Sequence, residues 1–184
     1  EGTLSGTYDT TTTFTQNQII TATGDITLVS GTVFTFEGTL IIPEGVTVTV
    51  QAGAKLIVNS STGSIVNNGT IIVESDAGQA TVNGSSVPAG GLLITGTASL
   101  TNNGVIELAF MPEGDETATN FQLDVISGTL TNNGQINVGE DSRMCVDASG
   151  VLNNTSDATV NMNGYFVGEI SNAGTVAFNG STSS

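Results

Sequence analysis

One short pattern recurs down this chain. It reads GSIVNNGTIIV at Gly63–Val73, ASLTNNGVIEL at Ala98–Leu108 and GTLTNNGQINV at Gly128–Val138. Two looser copies follow, GVLNNTSDATV at Gly150–Val160 and GEISNAGTVAF at Gly168–Phe178. Each copy reads as strand, asparagine-rich corner, strand. Self-similarity at this scale marks a stacked repeat, in which one unit buries its apolar side only against its neighbours. The key asparagines fall at Asn67, Asn102, Asn132, Asn154 and Asn172, at intervals of 35, 30, 22 and 18 residues. A fixed unit is thus joined by segments that shorten along the chain, as expected of coils that keep register on one side and vary in outer loops on the other.

The pattern sets the element type. Val, Ile, Thr and Phe alternate with small or polar residues in Ile26–Val29, Val33–Phe36, Val46–Val50, Lys55–Val58 and Ile71–Val73, which is strand periodicity. Gly, Asn and Ser interrupt these runs every few residues, and no stretch holds a helical period between start and stop signals. The fold predicted is all-β with little or no helix, a parallel β-helix or solenoid of about eight or nine coils with Asn-Gly corners. GTLIIPEGVTVTV at Gly38–Val50 and AGAKLIV at Ala52–Val58 read as earlier coils with other corners.

The corner residues have expected tasks. Gly69, Gly104, Gly134 and Gly174 are assigned to positive φ, which glycine reaches freely. Asn67, Asn102, Asn132, Asn154 and Asn172 are predicted to form a ladder, each amide bonding the coils on either side. Ile65, Leu100, Leu130, Leu152 and Ile170 before the corner should point inward, as should Ile71, Ile106, Ile136 and Val176 after it. In the fourth copy Ser156 replaces Gly and Ala158 takes the second inward position, which predicts a less regular coil. Three segments fall outside the pattern. Residues 1–18 are expected to be an arm, a cap or an extra strand, 19–178 the solenoid with an inserted acidic loop at 111–121, and 179–184 a polar tail.

The runs LIIPEGVTVTVQAGAKLIV and GSIVNNGTIIV resemble the parallel β-solenoid repeats of bacterial and archaeal cell-surface proteins, among them adhesin stalks, surface-layer-associated proteins and cell-sheath proteins. The resemblance covers roughly Gly24–Gly180. It implies an exported protein that assembles into fibres, sheets or sheaths, and it brings no catalytic motif.

Charge and missing residue types narrow the function classes. The chain has 17 acidic residues, two basic ones (Lys55 and Arg143), no His, and a net charge of −15. That balance argues against nucleic acid and against an anionic membrane surface. No apolar run is long enough for a transmembrane helix. Two basic residues leave a trypsin-like protease little to cut, which suits an extracellular, cell-surface or envelope location. The chain starts at Glu1 without Met, which reads as a mature or trimmed form. Without His, histidine-based triads and histidine metal sites are excluded, and one Cys cannot build an all-cysteine zinc site. No enzymatic activity and no cofactor are expected. Of the acids, Glu107 and Asp124 are the pair weighed for glycoside cleavage, which needs two facing carboxylates. Glu113, Asp115 and Glu116 are the candidate calcium ligands, with Glu140, Asp141 and Asp147 a second acidic group. Cys145, with Arg143, is the candidate intersubunit contact.

Surface chemistry supplies the remaining candidates. Glycan sites favour aromatic platforms, and this chain has no Trp, two Tyr and seven Phe. The Thr-x-Thr pairs of an ice-binding surface occur at Thr21/Thr23, Thr47/Thr49, Thr95/Thr97 and Thr117/Thr119, but follow no coil period. Glycosylation sequons begin at Asn59, Asn68, Asn83, Asn153, Asn154 and Asn179. The leading expectation is a structural subunit that associates with itself into a layer, sheath or fibre. An adhesin stalk or glycan- or ice-binding module is the second, and a polysaccharide-degrading β-helix the third. The low-charge strands around Val46–Val50 and Ile71–Val73 are the segments expected to template pairing between copies.

Overall fold

The computed structural model describes residues 1–74, 81–82, 85–86, 91–109, 121–140 and 142–178. Every regular element among them is a β-strand, and 19 strands belong to one sheet whose pairings are all parallel. The chain is a parallel β-solenoid, as its repeat predicts. One coil shows the plan. Lys55–Val58, Ser64–Asn67 and Thr70–Val73 are three short strands with the same alternation, the second and fourth residues buried. Each pairs only with the equivalent strand one coil before and one coil after, so the strands form three columns and the body has three faces.

The first face stacks Thr12–Phe14, Val33–Phe36, Lys55–Val58, Gly91–Ile94, the starts of Leu123–Asn132 and Arg143–Asn154, and Tyr165–Val167. The second and third faces each begin one tier earlier, on Gly2–Tyr8, which pairs with both halves of Ile19–Leu28. There are therefore seven complete coils, numbered here from Thr12, preceded by a partial one. With the partial coil the stack has eight tiers on the second and third faces, in line with the eight or nine expected, and two of its coils carry insertions. Residues 1–18 are part of the stack, with Gly2–Tyr8 an added strand of the partial coil and Thr12–Phe14 opening coil 1.

Inward side chains form one continuous core from Phe14 to Met162. Its N-terminal end is filled by rings: Phe14 stacks on Phe36 with centroids 4.3 Å apart and meets Phe34 edge-on at 5.2 Å. All the predicted inward positions before the corner are in place, with Ile170 half-buried in the last coil. The fourth copy differs from its expected reading. Val160, not Ala158, stands in register with Ile136, because the corner from Thr155 to Ala158 is longer than Asn133–Gly134. The coil keeps its register, and Ala158 is buried inside the longer corner.

The reason for the corner glycines also differs. Positive φ occurs at Gly31, Gly45, Gly53, Gly96 and Gly128 among others, but not at Gly69, Gly104, Gly134 or Gly174. Those four are glycines because the preceding corner lies against them. A Cβ on Gly104 would stand 2.0 Å from the Gly69 carbonyl oxygen, and one on Gly134 would stand 2.2 Å from that of Gly104. Close stacking of coils, rather than turn conformation, selects the residue.

Candidate functional site

The asparagine ladder is continuous. Nδ2 of Asn67 donates to Oδ1 of Asn102 at 2.8 Å, Asn102 to Asn132 at 2.8 Å, Asn132 to Asn154 at 2.8 Å and Asn154 to Asn172 at 2.9 Å. Each of these four amides also donates to the carbonyl just past the next corner, those of Val105, Gln135, Thr159 and Thr175. Both amide protons are thereby used, which lets Asn67, Asn102, Asn132 and Asn154 stand at most 1% exposed. Asn172 is exposed, on the last coil. At the other end Asn67 stands beside Ile42, which offers no donor, and its buried Oδ1 has no partner. A second ladder, not foreseen, runs outside the first. Nδ2 of Asn103 donates to Asn68, Asn133 to Asn103, and Thr155 Oγ1 to Asn133.

The insertions leave at one corner. Coil 3 is extended between Val73 and Gly91 and coil 4 between Leu108 and Leu123, both between the third and first faces. Buried Gln122 holds their roots, its Nε2 donating to the carbonyls of Val73 (3.1 Å) and Ala109 (2.8 Å). Ser142 Oγ adds a 3.0 Å bond to the Leu108 carbonyl. The candidate calcium ligands Glu113, Asp115 and Glu116 lie in the second insertion, outside the described residues; Asp141 is likewise outside them. Glu140 is exposed on a neighbouring turn.

Glu107 and Asp124 are not a facing pair. Glu107 projects from the third face, where it accepts from Asn137, which in turn accepts from Asn161. Asp124 projects from the first face. What surrounds Asp124 is instead Cys145, its register partner one coil on, and Asp147 two residues further along. The Cys145 thiol donates to Asp147 Oδ1 at 2.9 Å, and one donor atom from each of the three residues lies within 4.8 Å of the other two. Burial, and secondarily the Asp147 charge, pushes the Asp124 carboxyl up to about 6. Burial, the bond to Asp147 and both carboxylates push the thiol up to about 12. One sulfur and two carboxylates are a donor set of the kind a borderline divalent cation takes, with the thiol losing its proton on binding. In the sequence the three stand apart as members of different candidate groups. Only the stacking register, which no motif marks on the first face, brings them together.

Cys145 is 5% exposed and unpaired, so a disulfide to a neighbour requires this part of the first face to open. Arg143 lies beside it with its guanidinium carbon 5.5 Å from the centre of the Tyr165 ring. Val46–Val50 and Ile71–Val73 are not available as templates, since Thr47–Val50 and Thr70–Val73 are paired on both sides. Of the sequons, Asn154 is closed off inside the ladder, Asn68 is exposed, and Asn83 and Asn179 lie outside the described residues.

The outward residues of the second face form two files. From coil 1 to coil 6 one file is Ile19, Thr39, Ser64, Ser99, Thr129 and Val151, and the other is Thr21, Ile41, Val66, Thr101, Thr131 and Asn153. No charged residue occurs in either. The first face, by contrast, carries Lys55, Asp124 and Arg143, and the third carries Glu107. The chain matches no protein-family model, no curated protein and no solved structure.

Proposed function

We propose that this chain is an extracellular structural protein, a β-solenoid subunit that associates with itself into a cell-surface layer, sheath or fibre. The observation that carries this reading is how the polar side chains are used. The amides of the asparagine corners bond to each other and to the backbone of the next coil, which makes them parts of a stack rather than of a ligand site. The open strand edges of the outermost described coils, and the exposed Tyr165, Val167 and Phe178 of coil 7, add surface suited to contact with other chains. Light scattering of purified protein at rising concentration tests it. A mass that grows well past the monomer is expected, and a constant monomer mass contradicts the reading.

A second reading is a glycan- or ice-binding stalk, favoured by the uncharged second face. It predicts a monomeric rod with affinity for one of those ligands.

A further inference from the structure

The geometry points to the second face as an isologous interface between two antiparallel copies of this chain. The inference deepens the self-association reading and rests on it for the choice of partner.

Three observations lead to it. The first is charge. A molecule with net charge −15 repels its own copies wherever acids oppose acids, yet twelve outward positions on this face carry none of its 17 acids. The second is access. Both insertions leave from the corner between the third and first faces, which is opposite the second face.

The third is the order of side chains along the first file: aliphatic, Thr, Ser, then Ser, Thr, aliphatic. A closed dimer requires a patch complementary to itself. Consider a two-fold axis in the plane of the face, parallel to its strands, passing between coils 3 and 4. It brings each coil against the coil at the mirrored position and keeps each file against itself. Ile19 then meets Val151, Thr39 meets Thr129 and Ser64 meets Ser99. Ile19 and Val151, 45% and 43% exposed, are the large hydrophobics most exposed on this face, and this arrangement covers both. The second file pairs Ile41 with Thr131 and Val66 with Thr101, again without charge.

The margins are consistent with this. On the corner between the first and second faces, Glu37 meets the uncharged Ile126–Gly128 turn and Asp147 meets the turn around Gln16. Acids oppose each other only where Asp25 approaches Asp157 and, at the far ends, Glu1 approaches Glu169. Association should therefore strengthen as salt screens those pairs. The files do not repeat one residue type from coil to coil, which suits a partner with a matching order better than a periodic lattice.

Six coils at about 4.8 Å and four strand residues at about 3.3 Å give a footprint of roughly 29 by 13 Å, below the ~800 Å² per partner of a stable complex. The dimer is accordingly weak. Sedimentation equilibrium of the full chain should show a concentration-dependent dimer that strengthens with salt. Ser99→Asp sets a carboxylate at the axis and should weaken the dimer about tenfold or more. Thr49→Asp, the same charge change on the third face, should leave it unaltered. In a Cys145→Ser background, Thr39→Cys with Thr129→Cys should give a covalent dimer on mild oxidation, and neither change alone should.

A monomer under all conditions, or a dimer indifferent to Ser99→Asp, or cross-linking as efficient through Thr39→Cys alone, would overturn the interface. Larger polymers that ignore Ser99→Asp would remove this face and leave the self-association reading standing. A dimer blocked by Ser99→Asp that never grows further would support the face and contradict the layer or fibre.

Discussion

At the scale of single residues, the ladder shows how one side chain can occupy a buried corner four times over. An asparagine at most 1% exposed would ordinarily be costly, because its amide and carbonyl leave water. Here each coil supplies what the previous one lacks, and the cost collects at the first rung, where Asn67 Oδ1 has no donor. This makes the rungs unequal. Asn132→Leu leaves the Asn154 oxygen without its donor and the Asn102 amide without its acceptor, whereas Asn67→Leu takes away the already unpartnered oxygen and leaves only the Asn102 oxygen without its donor. Asn132→Leu should cost about 1–3 kcal/mol more than Asn67→Leu in urea unfolding, since each stranded buried group costs ~1–3 kcal/mol.

Asp124 gives a pH dependence of definite sign. Its folded-state pKa, about 6, lies above the ordinary value of 3.8, so the folded chain holds this proton more tightly than the unfolded one. The contribution to stability is full below about pH 4 and is lost as pH rises through 6. Asp124→Asn should therefore melt close to wild type at pH 4 and above it at pH 7.5, as followed by circular dichroism. A variant that gains nothing at pH 7.5 would contradict this assignment.

At the scale of strands and corners, the sequence was most legible where the repeat is written in it. The five ladder asparagines and the inward residues before each corner could be read directly, because stacking demands the same residue at the same place. The glycine after them was identified but for another reason than the true one. Positive φ and close approach both select glycine, and only the 2.0 Å Cβ clearance at Gly104 separates them. The length of the fourth corner was hidden for a related cause: Ala158 and Val160 are both apolar, and only pairing with Ile136 shows which one points inward with the column. The acidic insertion at 111–121 could be read from its composition, but the one between Val73 and Gly91 could not, since spacing between copies does not say where within a coil the extra residues sit. Gln122 is the distinctive element of the insertion corner. Gln122→Leu keeps the bulk but removes one of the two bonds at each of the Val73 and Ala109 carbonyls, which retain the Ala109 amide and the Ser142 hydroxyl as donors, and should destabilise by roughly 1–2 kcal/mol, two ordinary hydrogen bonds at ~1 kcal/mol each. Hydrogen exchange should quicken first at the coil 3 and coil 4 loop roots, ahead of the second face.

At the scale of the whole molecule, the three faces divide the work. The first gathers the strongly shifted groups, Asp124 and Cys145. The corner between the third and first faces carries the insertions, and the second face stays free of charge across six coils. The core runs from coil 1 to coil 6 and is covered at its end by the partly buried Phe166, Ile170 and Val176 of coil 7, so the body is a rod whose length is set by coil number, roughly 34 Å for seven coils at about 4.8 Å each. That a rod with so few basic groups and such regular stacking serves as a building block is the central claim. Its most direct test is electron microscopy of the purified, full-length chain at high concentration and at low and high salt. Ordered polymers or sheets built from rods of this length are expected, more abundant at high salt. Isolated short rods under every condition would contradict it.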